Sequence, residues 1–259
     1  MANSIGKHVL SQCTWQEIGE MKRENRVVLI PLGSLEQQGA HLPLGLDTFV
    51  AERVALHVAE RTGALVAPTI PLGYSQWFME YPGTLSLRME TLIQVMRDYG
   101  ESLMVHGFKK FLFINGHSGN SPAVDVLARE WKLRFDLTLA MIEIWKIANA
   151  LAKKCEHLQE KYFKHGGEVM TSIAMAINSE WVEMSRAKPE YLKSGSPNIE
   201  IKSTLGAAEF EGIEMSFYEK AKRCTETGIM GNPMAANLEA GKWLLREIES
   251  YVERLIRNF

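Results

Sequence analysis

The sequence predicts an α/β fold in which a mostly parallel β-sheet is covered by helices. Short apolar runs that suit buried strands alternate with longer segments whose apolar residues recur at helical spacing. Repeated strand–helix–strand units imply right-handed crossovers, which place successive strands parallel in one sheet. No linker, repeat or low-complexity tract interrupts the pattern, so residues 1–259 are predicted to form a single domain.

The predicted elements follow one another in a regular order. Short apolar runs typical of buried strands occupy residues 27–30, 65–68, 111–114 and 137–145. Apolar stripes at helical spacing predict helices over residues 47–63, 89–103, 121–135, 170–177 and 238–255. A glycine ends the first of these helices, and Ser-Pro begins the third. Residues 189–231 are polar and poorly periodic, which predicts loops with room for a hairpin.

Composition excludes several classes of function. The chain has 29 Lys and Arg against 31 Asp and Glu, a net charge of −2, and so lacks the basic excess of a nucleic-acid binder. No apolar run approaches the ~18 residues that cross a bilayer, and residues 1–10 show no secretory signal. Three widely spaced cysteines suit reduced thiols. We therefore expect a cytoplasmic protein that binds neither nucleic acid nor a membrane.

The polar residues that follow the predicted strands should meet at one edge of the sheet, because parallel strands point their carboxyl ends the same way. Glu36, His41 and Asp47 follow the first strand, His117 follows the third, and His165-Gly166-Gly167-Glu168 follows the fourth. Carboxylate oxygens and imidazoles are the ligands that divalent metals such as zinc and manganese take. The pattern therefore predicts a metal site at this edge.

Each of these residues, taken alone, also suits an ordinary structural role. Glu36 and Asp47 suit helix caps or solvated loops, and His117 suits a polar turn, although unrelated roles are harder to sustain for the whole set. A serine hydrolase with Ser118 as nucleophile is an alternative, since the segment after the third strand partly matches the Gly-x-Ser-x-Gly elbow. The phosphate-binding P-loop and the dinucleotide-binding glycine motif do not occur in the sequence.

Four blocks of the sequence together resemble the creatininase (creatinine amidohydrolase) family. Residues 31–47, Pro-Leu-Gly-Ser-Leu-Glu-Gln-Gln-Gly-Ala-His-Leu-Pro-Leu-Gly-Leu-Asp, are similar to its first metal motif. The others, in order, are Tyr81-Pro82-Gly83-Thr84, Asn115-Gly116-His117 with Gly119-Asn120, and His165-Gly166-Gly167-Glu168. The resemblance spans about residues 25 to 180. It implies a three-layer α/β/α sandwich, one or two divalent metals per chain (Zn²⁺ first, then Mn²⁺ or Fe²⁺) and a homo-oligomer, often a hexamer.

The resemblance also implies a role for individual residues. Glu36, Asp47 and His117 match metal ligands, with Asp47 as the bridging carboxylate, and Glu168 matches a further ligand. His165 matches a histidine next to the substrate, so His165 and Glu168 are the predicted catalytic residues. The predicted substrate-binding residues are Gln38, His41, Tyr74 and Trp145. The alternative role is to anchor the loop after the first strand for His41, and that of a buried aromatic at a strand end for Trp145.

Two positions depart from the family pattern. Gln38 stands where the family commonly has a histidine that serves the second metal, and an amide is a poorer ligand than an imidazole. Met170 stands where many members carry another glutamate. Both departures indicate a substrate other than creatinine, and the first puts the second metal in question.

The predicted activity is that of a metal-dependent hydrolase in which a metal-activated water attacks a small carbonyl compound. A cyclic amide is the first substrate class, with His165 as the proton shuttle. Ring opening of a cyclic diketone such as 3-dehydro-scyllo-inosose, by carbon–carbon cleavage, is the alternative. A non-catalytic descendant that only binds a metabolite is a further alternative.

Overall fold

The computed structural model describes residues 7–21, 24–194, 196–203 and 206–259. Residues 1–6, part of the segment in which no secretory signal is predicted, lie outside this description. The main sheet has the spatial order β2-β1-β3-β4, and its strand pairs are parallel, as predicted. Its strands are β1 Val27–Leu32, β2 Leu65–Val66, β3 Lys110–Asn115 and β4 Thr138–Glu143.

The helices alternate with these strands and then close the chain. In order, the described residues contain α1 Trp15–Met21, α2 Leu46–Thr62, α3 Met89–Val105, α4 Ser121–Arg134, α5 Ile144–Ala152, α6 Glu168–Ile177, α7 Ala221–Cys224 and α8 Leu238–Arg257. Gly63 ends α2 in the left-handed conformation, with φ of 75°, as its position after the helical stripe predicts. Within the described ranges, no helix is both long enough and apolar enough to cross a bilayer.

Each face of the main sheet packs against its own layer of helices. Successive side chains of a strand point to opposite faces. Val27 and Leu29 of β1 therefore join a core with α2, α5, α6 and α8, whereas Val28, Ile30 and Leu32 join a second core with α1, α3 and α4. The predicted three-layer α/β/α sandwich is confirmed, and its parallel strands are buried on both faces.

Two local predictions near the carboxyl edge of the sheet were wrong. The fourth strand ends at Glu143, and α5 begins at once, so Trp145 lies in the first turn of a helix rather than at a strand end. A short apolar run does not by itself distinguish a strand from a buried helix. Asp47 also lies inside the first turn of α2, because Gly45 takes the N-cap position.

Residues 189–231 contain a small antiparallel sheet as well as loops. Its strands are β5 Ile199–Ile201, β6 Ala207–Phe210 and β7 Ile213–Ser216. β6 and β7 form a hairpin whose two turn residues, Glu211 and Gly212, both have positive φ, as tight hairpin turns require. The hairpin is thus present, and β5 extends it to three strands that stand beside the carboxyl edge of the main sheet.

The packing of α8 on α6 predicts the effect of a single methyl group. A Cβ atom at Gly241 would lie 1.8 Å from the backbone carbonyl oxygen of Ser172, which cannot rotate away. Gly241→Ala is expected to lower the free energy of unfolding by about 1–3 kcal/mol, measured by urea denaturation. The control is Gly19→Ala in α1, where the new methyl group has nothing within 4 Å. Equal effects of the two substitutions would contradict this packing.

Candidate metal centre

Three of the four predicted metal ligands meet at the carboxyl edge of the main sheet. Glu36 follows β1, Asp47 lies in the first turn of α2, and His117 follows β3, the strand that pairs with β1. Each offers one ligand atom, these atoms lie within 4.8 Å of one another, and all three residues are buried. Two carboxylates and an imidazole at this spacing form a donor set that suits a divalent cation.

The orientation of His117 turns one ring nitrogen towards the carboxylates. Its Nε2 lies 2.8 Å from the backbone carbonyl oxygen of Tyr74, which can only accept a hydrogen bond. Nδ1 then faces Oδ2 of Asp47 at 3.2 Å and Oε1 of Glu36 at 3.5 Å. A histidine whose other nitrogen donates to a backbone carbonyl is held in the tautomer that metal binding needs.

The two carboxylates have different surroundings. Oδ2 of Asp47 accepts a hydrogen bond from the Ser34 hydroxyl at 2.9 Å, and Oδ1 accepts one from the Trp145 indole at 3.0 Å. Oε2 of Glu36, in contrast, is buried without a hydrogen-bond partner among the described residues. An unpartnered carboxylate oxygen in a dehydrated site is costly, and a cation would remove that cost. The donor set therefore fits a divalent metal.

The pKa values of Glu36 and His117 are both raised, for different reasons. Burial raises the pKa of Glu36 to about 7, although the positive charge of His117 opposes the shift. Burial would lower the pKa of His117, but the negative charges of Glu36 and Asp47 outweigh it and raise this pKa to about 9. A proton on His117 thus supplies, in the metal-free protein, the positive charge that the two carboxylates need.

His165 lies beside this cluster, as predicted. Its Nδ1 is 4.0 Å from Oε1 of Glu36, and its Nε2 is 2.9 Å from the backbone carbonyl oxygen of Gln37. The ring stacks on Phe78 with centroids 4.6 Å apart. Burial lowers the pKa of His165 to about 4, so the imidazole is neutral at pH 7. The same Nε2 also lies 3.1 Å from the side-chain amide nitrogen of Gln37. In the tautomer whose Nε2–H donates to the Gln37 carbonyl, the Nδ1 lone pair faces the cluster.

Glu168, the fourth predicted ligand, does not join the cluster. It begins α6 and is fully buried, but its carboxylate accepts hydrogen bonds from the backbone N–H groups of Gln159 and Glu160. These bonds fasten the preceding loop to the start of the helix. The ligand and catalytic roles expected of Glu168 therefore have no geometric support.

The four predicted substrate-binding residues separate into two pairs. Trp145 lines a cavity of about 430 Å³ above the cluster, and Tyr74 lines a neighbouring one. Gln38 and His41 line neither of these two cavities and are fully buried. Nε2 of His41 lies 2.9 Å from the Thr171 hydroxyl, and burial lowers its pKa to about 4. The contact of His41 points to support of the loop after β1 rather than to substrate binding, whereas the Gln38 amide is buried with no hydrogen-bond partner among the described residues.

Several residues of the site were not predicted from the sequence. Ser34 stands in the segment after β1, so its position after a buried strand was a usable signal. Phe78 reaches His165 from a 3₁₀ turn, Gln76–Phe78, that no sequence pattern marked. Phe163 and Lys164 line the cavity from the loop before His165, and residues 200–203 line it from the small antiparallel sheet.

Comparison with known proteins places this geometry among related chains. A family model described as "Creatininase: Creatinine amidohydrolase" matches residues 11–257. Creatinine amidohydrolase of Pseudomonas putida is 30% identical over 195 residues, 68% of this chain and 74% of that protein. The 3-dehydro-scyllo-inosose hydrolase of Thermotoga maritima is 26% identical over 260 residues, which cover 95% of this chain and 81% of that protein. A mycofactocin precursor peptide peptidase of Mycobacterium ulcerans is 28% identical over 240 residues, which cover 89% of this chain and 84% of that protein.

Solved structures of creatininase share the fold over nearly the whole chain. A mutant creatininase complexed with creatine has a TM-score of 0.79 and 25% identity, covering 97% of this chain and 98% of that one. A manganese form and a zinc–zinc form of a mutant have the same TM-score and coverage at 24% identity. Manganese and zinc thus occur in homologous structures.

Removal of His117 tests the donor set. His117→Ala is expected to weaken binding of Mn²⁺ or Zn²⁺ by more than about 100-fold, because loss of an outer-shell partner alone costs about 10–100-fold. Isothermal titration calorimetry of the metal-stripped protein measures the change. His57→Ala is a matched control, since Nδ1 of His57 also faces a buried carboxylate, Glu249, at 3.4 Å. Equal affinities of the two variants would contradict the assignment.

The raised pKa of His117 predicts how metal affinity depends on pH. Because that pKa is about 9, a cation that binds below pH 9 must displace a proton from Nδ1. The apparent Mn²⁺ affinity should rise about tenfold per pH unit between pH 7 and 9, and more steeply below pH 7, where Glu36 also loses a proton. Titration in buffers of different ionisation enthalpy counts the released protons. A pH-independent affinity without proton release would disprove this coupling.

Proposed function

The chain belongs to the creatininase family of metal-dependent hydrolases, and we propose that it hydrolyses a small carbonyl compound, with a cyclic amide as the first candidate. One observation carries the proposal. Glu36, Asp47 and His117 converge on one point at the floor of a cavity, with the neutral imidazole of His165 beside them. Family members act on varied substrates, so the cavity and its proton-transferring group must select the bond.

The cluster is suited to hold a divalent ion, with Zn²⁺ first and Mn²⁺ or Fe²⁺ next. Such an ion would supply Lewis-acid chemistry, lowering the pKa of a bound water to about 7 and polarising a carbonyl. Glu36 and Asp47 offset its charge, and Nδ1 of His117 adds a neutral donor. The hydrogen bonds of Ser34 and Trp145 to Asp47 hold that carboxylate in place. This pre-arrangement limits the reorganisation that binding requires.

His165 is placed to move the proton. Because its pKa is lowered to about 4, the imidazole is neutral at pH 7 and only weakly basic, so a proton that Nδ1 takes up is held briefly and passed on. The imidazole can take this proton from the attacking water and deliver it to the leaving nitrogen when the carbon–nitrogen bond breaks. The Gln37 carbonyl and the Phe78 ring hold the imidazole in the orientation that this transfer needs.

The cavity walls favour a compact substrate. Trp145 and Phe163 stack with ring centroids 5.1 Å apart and form an apolar wall beside the cluster. Lys164 lies at the rim, where its ammonium group sits over the rings of Tyr162 and Tyr191. A volume of about 430 Å³ lies at the low end for small-molecule sites, which span about 300–1,000 Å³.

Ring opening of a cyclic diketone is the second candidate. The observation that favours it is the match to 3-dehydro-scyllo-inosose hydrolase, which extends over 95% of this chain. The attack on a carbonyl would be the same, but the proton from His165 would then go to a carbon leaving atom.

The cytoplasmic location and the homo-oligomer, with a hexamer favoured, stay predictions. Light scattering of the purified protein tests the hexamer.

A direct assay distinguishes the two substrates. Protein loaded with Zn²⁺ or Mn²⁺ is incubated with a panel of cyclic amides that includes creatinine, with an N-formyl amide and with 3-dehydro-scyllo-inosose, and products are identified by mass spectrometry. We expect turnover of an amide that is lost on chelation and in Glu36→Gln. Turnover of the inosose alone would favour carbon–carbon cleavage. Amide turnover that survives chelation would contradict the metal mechanism and would favour Ser118 as nucleophile.

Replacement of His165 tests proton transfer separately from metal binding. His165→Gln is expected to lower kcat for the substrate found above by about 10²–10⁴-fold, the usual contribution of a general acid–base group. Metal content should stay unchanged, because His165 is not one of the three clustered ligands. His106→Gln, an exposed histidine at the end of α3, is the control. Unchanged kcat in His165→Gln would rule out this role.

A further inference from the structure

The two oxygens of Asp47 face different partners. Oδ2 lies 3.2 Å from Nδ1 of His117, on the side where the three ligand atoms meet, and it also accepts a hydrogen bond from the Ser34 hydroxyl at 2.9 Å. Oδ1 lies 3.0 Å from Nε1 of Trp145, which can only donate a hydrogen bond. A common way for a carboxylate to bridge two cations is to present one oxygen to each of them. In this chain the second oxygen is already directed at a proton donor.

The indole of Trp145 is held firmly in this position. Its Nε1 also lies 2.6 Å from the backbone carbonyl oxygen of Gly116, and its ring stacks on Phe163. The side chain is 5% exposed and belongs to the first turn of α5. Gly116 is itself pressed against Asp47, because a Cβ there would lie 2.3 Å from the Asp47 carbonyl oxygen. The single indole N–H is therefore shared between the Gly116 carbonyl oxygen, which is nearer, and Oδ1 of Asp47, and the indole cannot move aside without breaking this bifurcated hydrogen bond.

The surrounding residues provide charge for one divalent ion. Among the described residues, the cluster able to hold a metal consists of Glu36, Asp47 and His117, whose two carboxylates balance one dication. Gln38 and Met170, which flank Gly166, are both buried and neutral. The Met170 sulfur accepts a hydrogen bond from the Gly166 N–H at 3.2 Å. A second dication would leave two positive charges uncompensated in a dehydrated site, which is strongly unfavourable.

We propose that this centre binds a single divalent ion. In this proposal the N–H of Trp145 holds Oδ1 of Asp47 away from a second ion, so that Asp47 binds only the first. Trp145 acts through Asp47 and is therefore a positioning residue. The inference rests on the proposed function in one respect, namely that a divalent ion binds to the cluster. It separates this chain from the creatininase form described as zinc–zinc.

Metal stoichiometry tests the proposal without any activity assay. The full-length protein is stripped with a chelator, reloaded with excess Mn²⁺, passed through a desalting column and analysed by plasma mass spectrometry and electron paramagnetic resonance. We expect one Mn²⁺ per chain with the hyperfine pattern of an isolated ion. Two tightly held ions with the spectrum of an exchange-coupled pair would overturn the single-ion inference and leave the proposed function standing. Absence of any bound ion would overturn both.

A matched pair of variants tests the role of the indole. Trp145→Phe keeps an aromatic ring against Phe163 but removes the N–H, and its Mn²⁺ affinity should fall about 10–100-fold. Trp131→Phe removes an N–H that also donates to a carboxylate, Glu101 at 3.3 Å, in the opposite helix layer, and should leave the affinity unchanged. Circular dichroism checks folding of both variants. Equal Mn²⁺ affinities of the two variants would overturn the role of Trp145. The stoichiometry measurement uses only the wild-type protein and therefore does not depend on the folding of either variant.

Discussion

The structure depends on placing two carboxylates and an imidazole together in a buried site that demands a positive charge. Glu36 and Asp47 face the same nitrogen of His117 within 3.5 Å. In water such groups would be separately hydrated, but burial removes that hydration and leaves their mutual attraction to a cation as the main compensation. A proton on His117 meets the demand in part, and a divalent ion meets it more fully. The chemistry and the pH dependence both follow from this arrangement.

The parallel sheet makes the arrangement possible, and a few hydrogen bonds make it accurate. β1 and β3 pair up to Leu32 and Asn115, so the loops that carry Glu36 and His117 leave the sheet side by side. Asn120 ties these loops to the one after β2: its amide donates to the Gly33 carbonyl at 3.0 Å and accepts from the Tyr74 N–H at 3.1 Å. The Tyr74 carbonyl then orients His117. Each ligand is thus fixed through contacts with a neighbouring loop.

The sequence predicted what depends on local pattern and on topology. Strand and helix periods predicted the parallel sheet, and the position of polar residues after the strands predicted the meeting of Glu36, Asp47 and His117. Sequence patterns failed to predict the positions of side chains that are determined by tertiary contacts. Glu168 follows a glycine pair like a ligand, yet its carboxylate bonds to backbone N–H groups nine and eight residues earlier. Trp145 continues an apolar strand pattern, yet it begins a helix, and only that turn directs its indole at Asp47.

The central claim is that three residues, far apart in the sequence, share one cation. Anomalous diffraction from crystals of the metal-loaded protein, collected on both sides of the metal absorption edge, tests it most directly. The account predicts one anomalous peak per chain, within coordination distance of Glu36, Asp47 and Nδ1 of His117. A peak at some other group of side chains, or occupied crystals in which these three side chains point apart, would contradict it.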